Sequence, residues 1–431
     1  MLRSNALLEL ALTVALYPEA KIVYSDEDQI DDNGQRREPK FKPAWSPDFF
    51  PAYDYIGHLL LISRNILLDV GGWRANFFDS INHDLILRIA SQTGSRHIVH
   101  IAKILVSVRC KQAASPNRAA VERMLREYVE RCGLEADPVW REEVALPQLR
   151  YRIPVPAPIV SLIIPTRDRA DLLEVCVRSI MARTNHNALE ILIVDNGSAE
   201  DRTHQLFSEL GSKPGIRILP SPGEFNYSAL NNLAAREAKG TILGLLNNDV
   251  EVLHADWLEE MVSLAVRPQV GCVGAKLLYP DGRVQHAGVY LGVGNLAAHA
   301  YRFAPANMRG QLNRMATVQN VSAVTAACLL IRKSLFEEVG GLDEELKVAL
   351  SDVDLCLKVK AAGYLNLWTP FAELVHHESP SRGHDTTVAK AKRLAHEQRV
   401  LSARWGEQLL SDPYYSPNLS TDHADFSVRV H

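Results

Sequence analysis

The chain has no excess of basic residues. Its 431 residues carry a formal net charge of −4, so it builds no field of the kind that gathers nucleic acid. It also lacks cysteines in metal or redox spacing. Cys110, Cys132, Cys176, Cys272, Cys328 and Cys356 are scattered without a CxxC pair, several of them in apolar runs such as Ala326-Ala327-Cys328-Leu329-Leu330, a pattern of buried free thiols in a reducing cytoplasm. No run approaches the ~18 apolar residues of a membrane span. A secretory pattern is missing too: Leu2 to Leu16 is apolar, but Asn5 and Glu9 interrupt it and no small-residue cleavage site follows, so it reads as an amphipathic or buried helix. What remains is an ordinary globular composition, 47% hydrophobic and 23% charged, on a length that calls for two units rather than one core.

The fold signal is strongest from Ile159 onward. Val160-Ser161-Leu162-Ile163-Ile164-Pro165 and Leu189-Glu190-Ile191-Leu192-Ile193-Val194-Asp195 are β-branched runs separated by a helical stretch from Asp168 to Arg183. Two continuously apolar runs around a helix predict a βαβ unit in a parallel sheet covered on both faces. A helix near 199–210, a short strand at 216–219, a helix at 227–239 and a strand at 241–246 complete a doubly wound nucleotide-binding half. Beyond it, 323–332 reads as a strand, 353–362 as a helix stopped by Gly363, and 365–368 as another strand. Ser115-Pro116 opens a helix through Arg131 that Gly133 closes. Five prolines between Pro138 and Pro158 mark a linker, and a polar helix runs from Asp385 to about Arg404.

An internal repeat links the two ends. Leu60-Leu61-Ile62-Ser63-Arg64 through Val70-Gly71-Gly72, then Asp84-Leu85, echoes Leu329-Leu330-Ile331-Arg332-Lys333 through Val339-Gly340-Gly341, then Asp354-Leu355. The first 115 residues thus correspond to the second half of the downstream fold, without its nucleotide-binding first half.

Three strands of the downstream sheet end in polar residues, at the edge where open α/β sheets bind ligands: Pro165-Thr166-Arg167-Asp168-Arg169, Asp195-Asn196-Gly197-Ser198 and Asn247-Asn248-Asp249. Asp195 can accept from a base or ribose, or simply close an Asp-Asn-Gly turn. Asp249 follows a buried run where a lone carboxylate is costly. Mg²⁺ or Mn²⁺ would remove that cost, unless the residue is an exposed loop aspartate. Asp352, at or just before a helix start, is kept ionised by the helix dipole and so suits a general base, or it serves as the N-cap together with Ser351. His376 and His377 end a strand-like Glu373-Leu374-Val375, and either could complete a metal site with Asp249. Arg382 could pair with phosphate oxygens.

Together these segments, with Val339-Gly340-Gly341-Leu342-Asp343-Glu344 and Asp352-Val353-Asp354-Leu355-Cys356-Leu357, resemble family-2 glycosyltransferases, the inverting GT-A enzymes that build bacterial polysaccharides. The resemblance implies a GT-A nucleotide-diphospho-sugar transferase fold with a doubly wound mixed sheet over residues 158–385. A partial, degenerate copy occupies 1–115, a helix and Pro-rich linker 116–157, and a helix and tail 386–431. It also implies roles. Asp195 is similar to the aspartate that contacts the nucleotide, with Pro165, Thr166, Arg169, Asn247 and Asn248 around the donor. Asp249 is similar to the last acid of a metal-binding DxD, His376 to the histidine that joins the metal, and Asp352 to the catalytic base.

In two places the sequence departs from the family pattern. Ser351 stands where an acid often precedes the base, and Asn247 replaces the first acid of the DxD. Upstream, Tyr24-Ser25-Asp26-Glu27-Asp28, Lys42-Pro43-Ala44-Trp45-Ser46-Pro47-Asp48 and Tyr55-Ile56-Gly57-His58 also resemble the family. There, however, Asn82 matches Asp352 and Ser107 matches His376, so that module is expected to be non-catalytic. The expectation is an Mn²⁺- or Mg²⁺-dependent transferase moving sugar from a nucleotide-diphosphate donor to a saccharide or lipid-linked saccharide in bacterial surface polysaccharide synthesis. It would work in the cytoplasm, with peripheral contact at the inner face of the membrane. The rivals are a non-catalytic scaffold or saccharide-binding pseudo-transferase, and a sugar nucleotidyltransferase. The second is disfavoured because Thr166-Arg167-Asp168-Arg169 is no Gly-rich phosphate loop.

Overall fold

The computed structural model describes residues 1–109, 117–377 and 387–429. Helix α1 (Ala6–Leu16) lies on a small sheet of β1 (Ile22–Ile30), β2 (Arg36–Lys40), β3 (Leu60–Ile62) and β4 (Ile98–Arg109), with α2 (Arg64–Asp69) and α3 (Ile81–Ala90) between β3 and β4. Strand β1 runs antiparallel to β2 and β3 on one edge and parallel to β4 on the other.

Helix α4 (Arg118–Arg131) follows, capped by the Asn117 side chain, which accepts from the Ala120 N–H. The expected Ser115-Pro116 start lies outside the described residues, as do Cys110, Asp385 and Arg382. The stretch read as a Pro-rich linker carries a hairpin, β5 (Ala136–Arg141) and β6 (Leu146–Tyr151). Pro138 and Pro147 fit there because both strands of a two-stranded hairpin are edges.

The large sheet is built from β7 (Val160–Thr166), β8 (Leu189–Asp195), β9 (Ile216–Pro220), β10 (Ile242–Leu246), β11 (Val250–Val252) and β12 (Val270–Leu278). To these the chain adds β13 (Val284–His286), β16 (Gln319–Asn320), β17 (Cys328–Arg332) and β18 (Leu365–His376), while β14 (Val289–Leu291) and β15 (Ala297–His299) form a separate hairpin. Strands β10, β7, β8 and β9 are parallel neighbours. Antiparallel β17 joins β10 to β12, and β12 runs parallel to β18. All seven residues of β7 and all nine of β12 are buried, as strands covered on both faces must be.

The helices are α5 (Ala170–Ala182), α6 (Asp201–Gly211), α7 (Tyr227–Glu237), α8 (Trp257–Ala265), α9 (Lys333–Glu338), α10 (Ser351–Ala361) and α11 (Val388–Trp405). This is the expected doubly wound mixed sheet, with two adjustments. The predicted strand from 323 begins only at Cys328, because the loop before it turns back toward Asn247. The segments read as 365–368 and 373–375 are one twelve-residue strand, β18.

The order β11, α8, β12, β13, β17, α9, α10, β18 recurs upstream. Leu2 bridges Val106 as Val250 pairs with His376, and α1, β1, β2, β3, α2, α3 and β4 follow in the same sequence. The glycine pair after the short helix adopts φ of +79° and +67° at Gly71 and Gly72, and +80° and +67° at Gly340 and Gly341. A buried aspartate follows each pair. Asp84 is held by Arg74 and Arg88, and Arg88 donates to the Gly72 carbonyl at 2.6 Å. Asp354 is held by Lys358 and Arg404, and Lys358 donates to the Gly341 carbonyl at 2.8 Å.

Helix α1 is neither buried nor conventionally amphipathic. Only Ala6 and Leu10 are buried, while Leu7, Leu8, Leu12 and Leu16 are each more than half exposed. Helix α11 packs on the domain: Glu397, fully buried, accepts from the Val348 and Ala349 N–H groups, and Leu401 joins the core. The tail then ties the two units together. Ala44 N–H donates to the Pro413 carbonyl at 2.8 Å, and the Asn418 amide donates to the Ala102 carbonyl at 2.9 Å. Asp48 and Arg267 add an ion pair between the units.

Inside the upstream module, Lys42 is fully buried and donates to the Ser25 carbonyl at 2.7 Å and to Glu27 at 3.2 Å. Burial raises the Glu27 carboxyl, but His58 and Lys42 outweigh it and hold it near 2 rather than 4.5; burial pushes the Lys42 ammonium down. A depressed carboxylate contributes stability that is complete above about 4.5 and is lost as the pH falls toward about 2. Glu27→Gln is therefore expected to cost about 3 kcal/mol at pH 7, by stranding the buried ammonium. The difference from the parent chain should shrink across that window in urea denaturation series. A constant difference down to pH 2 would reject the ion-pair account.

Candidate functional site

The site forms at the carboxyl end of β7, β8 and β10, where parallel strands leave polar turns at one rim. Thr166 and Asp195 end their strands side by side. The Asn248 amide donates to Thr166 Oγ1 at 2.9 Å, and the Asn196 N–H donates to the Thr166 carbonyl at 2.9 Å. Asp195 Oδ1 accepts from the Ser198 N–H at 2.8 Å, which closes the turn; among the described residues Oδ2 has no protein donor. The turn and the ligand readings of Asp195 are therefore compatible, with one oxygen for each.

Asp168 braces the rim. Its Oδ1 accepts from the Ala199 and Glu200 N–H groups at 2.6 and 2.9 Å, and these bonds hold its carboxyl below the usual value. Pro165 is buried inside β7, opposite Val194. Arg169 pairs with Asp171 at 2.9 Å, and its cation also feels the charge of Asp249. Both Asp168 and Arg169 sit at φ +55°, and Leu350 at +64°. Left-handed conformations in side-chain-bearing residues cost about 1–2 kcal/mol each and persist where the surroundings impose them, commonly at functional sites.

Asp249 and His376 meet across the β11–β18 pairing. Their side chains are almost wholly buried, with Nε2 of His376 3.1 Å from Oδ1 of Asp249. That oxygen is buried without a hydrogen-bond donor. Burial raises the Asp249 carboxyl, and the facing imidazole more than offsets it, so the group stays below the usual carboxylate value. The Asn247 amide lies 3.2 Å from the same Nε2.

Alternation along the strand sends His377 the other way, to Glu251 at 3.3 Å. Of the two histidines, His376 is thus the one that faces the cleft. A divalent cation fits here: an orphaned carboxylate oxygen and an imidazole nitrogen converge on one point. Among the described residues no three His, Cys, Asp or Glu side chains converge. The chain therefore offers two donors and leaves the remaining positions of a six-coordinate ion to a ligand's oxygens and water.

Asp352 occupies the opposite wall. It is the second residue of α10, so the N-cap is Leu350 rather than Ser351 or Asp352. Its Oδ2 accepts from the Ala326 N–H at 3.1 Å and its Oδ1 from the Val353 N–H at 2.9 Å. Both carboxylate oxygens are thus held by backbone donors at the N-terminus of α10. The loop 325–327 that carries Ala326 also accepts, at the Ala327 carbonyl, from the Asn247 N–H at 3.1 Å. Tyr227 donates to the Ala326 carbonyl at 3.0 Å; burial pushes its phenol up, and the charges of both Asp352 and Asp249 add to the shift. The field of both carboxylates thus reaches one tyrosine, and the loop 325–327 binds both Asp352 and Asn247, two residues before Asp249.

Sequence reading missed Tyr227, Gln285 and His286. Gln285 meets the His376 ring and His286 contacts the Thr325 N–H at 3.5 Å, so β13 braces both the histidine and the loop that holds Asp352. Burial pushes the His286 imidazole well down, with His299 and His376 adding to it, so it is neutral. Two adjacent polar residues in the short run Val284-Gln285-His286-Ala287-Gly288 were the available signal.

Residues 161–340, which hold the carboxyl-edge turns and Asp249 but neither Asp352 nor His376, match Glycosyl transferase family 2. Over that stretch the chain is similar to family-2 glycosyltransferases. Protein y4gI of Sinorhizobium fredii is 45% identical over 99% of this chain and 48% of its own length. The O-antigen biosynthesis protein RfbC of Myxococcus xanthus is 39% identical over 100% of this chain and 34% of its own. The chain thus spans about half and about a third of these two relatives. Among solved structures, GalNAc-T7 with UDP, GalNAc and Mn²⁺ aligns with a TM-score of 0.50 at 16% identity, over 62% of this chain and 51% of that one. At that identity the likeness shows a GT-A fold alone.

The opposed orientations of the two histidines give a direct expectation. His376→Ala should abolish stabilisation by Mn²⁺ added with UDP, GDP or dTDP in thermal unfolding. His377→Ala should leave the metal midpoint within about twofold, since second-shell losses of 10- to 100-fold require contact with a ligand. Equal effects of the two variants would contradict the geometry.

Proposed function

We propose that residues 158–385 form an inverting, metal-dependent glycosyltransferase that moves a sugar from a nucleoside-diphosphate donor to a saccharide or lipid-linked saccharide acceptor. The observation that carries this reading is the buried pair of Asp249 and His376, linked to Asp352 through the loop 325–327, whose backbone binds both Asn247 and Asp352. The family match and the O-antigen relative support a place in bacterial surface polysaccharide synthesis. The buried free thiols suit a reducing cytoplasm. Among the described residues no helix is long and apolar enough to cross a membrane, so any contact at its inner face would be peripheral.

In this mechanism Thr166, Asp195 and Asn248 line the nucleotide side of the cleft, with Pro165 and Arg169 at its rim and Asn247 beside the histidine. Asp352 accepts the proton of the acceptor hydroxyl as that oxygen attacks the anomeric carbon, and the nucleoside diphosphate departs from the opposite face. A single displacement inverts the configuration. Asp249 and His376 would hold Mn²⁺ or Mg²⁺, which when bound supplies positive charge against the diphosphate. The backbone donors to Asp352 hold its carboxyl group in place without waiting for the substrate.

We also read residues 1–115 as a partial, degenerate copy of the second half of this domain. Asn82 takes the place of Asp352. The structural register sets Val106 against Leu2 where His376 meets Val250, so the ligand position carries a valine, one residue from the Ser107 expected from sequence. Neither residue supplies a metal ligand or a base. The rival reading, a non-catalytic saccharide-binding scaffold, accounts less well for a buried carboxylate and imidazole left facing each other.

A panel of nucleotide sugars with and without Mn²⁺ tests the function, the expected outcome being metal-dependent hydrolysis or transfer from one donor. Asp352→Asn should lower turnover by about 10²–10⁴-fold with donor affinity unchanged, whereas Asp249→Ala should weaken both. Near-parental turnover in the Asp352→Asn chain would reject the base, and would point to the upstream module as a second active centre.

A further inference from the structure

We infer that Gln285 is a positioning residue that fixes the tautomer of His376, so that Nε2 presents a lone pair beside Asp249. The inference rests on the metal-site reading above and adds a residue outside the matched motifs. Gln285 sits on β13, 91 residues before His376 in the chain, and its amide meets that one histidine twice. Its Oε1 lies 2.6 Å from Nδ1, and its Nε2 donates to the His376 carbonyl at 3.4 Å.

The second contact decides the first. A backbone carbonyl only accepts, so the amide nitrogen of Gln285 must face it, and the amide oxygen must then face the ring. An oxygen at 2.6 Å from Nδ1 requires a proton on Nδ1. In the neutral ring the lone pair is therefore left on Nε2, 3.1 Å from Asp249 Oδ1, and these two acceptors are reconciled by a proton or a cation held between them. Reversing the tautomer would place Nδ1 and Oε1, two acceptors, 2.6 Å apart. It would also turn an N–H toward the point where a cation would be held.

Main-chain anchoring makes this lock stiffer than a side-chain contact alone. Gln285 is nearly fully buried, and the carbonyl it binds belongs to the last residue of β18, which pairs with Val250 next to Asp249. The neighbouring His286 is held separately, its Nδ1 3.1 Å from His299 Nδ1, so replacing Gln285 leaves that brace in place. A histidine ligand held through its other nitrogen gains basicity and loses rotational freedom, and such outer partners typically account for 10- to 100-fold in metal affinity.

Two variants and two readouts test the inference in the full chain. Gln285→Leu keeps the volume and removes the acceptor, whereas Gln285→Glu keeps an acceptor oxygen. In the metal-free chain, ¹⁵N spectra of the histidine rings should show His376 as the Nδ1–H form in the parent and in Gln285→Glu, and a shift toward the Nε2–H form in Gln285→Leu. Mn²⁺ uptake, followed by loss of the free-ion paramagnetic signal in the presence of UDP, GDP or dTDP, should weaken at least tenfold in Gln285→Leu and return to within about threefold of the parent in Gln285→Glu.

An unchanged ring spectrum in Gln285→Leu would overturn the inference, as would Mn²⁺ affinity within twofold of the parent or an equal loss in both variants. If the parent chain shows the Nδ1–H form and takes up no Mn²⁺ with any of the three nucleotides, the metal reading falls, and the assignment of Gln285 to metal positioning falls with it.

Discussion

The structure turns on one desolvated carboxylate. Asp249 ends the buried run of β10 and lies where water does not reach, with one oxygen lacking a donor and an imidazole nitrogen 3.1 Å away. A charge in such a place is costly unless something of opposite sign is present, and much of the surrounding structure keeps that arrangement in register. Strand β18 brings His376 back beside β11, Gln285 holds the ring, and Asn247 fastens to the loop before β17. That loop also supplies the N–H that binds the Asp352 carboxylate, so the segment before Asp249 and the start of α10 are joined through the backbone of Ala326 and Ala327.

The same topology explains why the upstream module looks unfinished. Eight of the nine residues of α8 are buried, because the hairpin β5–β6 covers it, with Arg141 and Gln148 bound to Glu260, and because Trp257 donates to Thr184 just beyond α5. The matching helix α1 has the sheet beneath it but no hairpin or α5 above it, so its leucines stand in the open. Strand β17 pairs with β10 along its whole length, whereas β3, its upstream counterpart, pairs only with β1 among the described residues.

This bears on what could be read from the sequence. The parallel half was legible because strands buried on both faces are written as unbroken aliphatic runs, and β7, β8 and β10 fall where those runs lie. The site acids were legible as polar residues at the ends of such runs, and the glycine pairs as a repeated signature with a backbone cause, positive φ at both members. Gln285 and Tyr227 were not legible, since their importance comes from contacts with residues 91 and 99 positions away, which no local pattern records. The end of α1 at Leu16 was foreseen; its start at Ala6 rather than Leu2, and its exposure, were not. An eleven-residue apolar segment says that a helix wants cover; only tertiary structure says whether cover exists. The linker failed for a related reason, as prolines that break a central strand are tolerated on a hairpin whose strands are all edges.

The tail shows how the two units become one body. Tyr414, Tyr415, Leu419 and Phe426 join the core of the glycosyltransferase domain, while Pro413 and Asn418 in the same segment bind the upstream module through its backbone. Arg404 and Trp405, at the end of α11, bind Asp354, the buried aspartate two residues after Asp352. In the upstream module the equivalent Asp84 is served by the nearby Arg74 and Arg88 alone. Recruiting a partner from α11, some fifty residues further on, makes the helix that carries Asp352 depend on the docking of α11 and the tail. Helix α10, with Asp352 at its second position, is thus anchored to α11, and the tail that follows α11 binds the upstream unit.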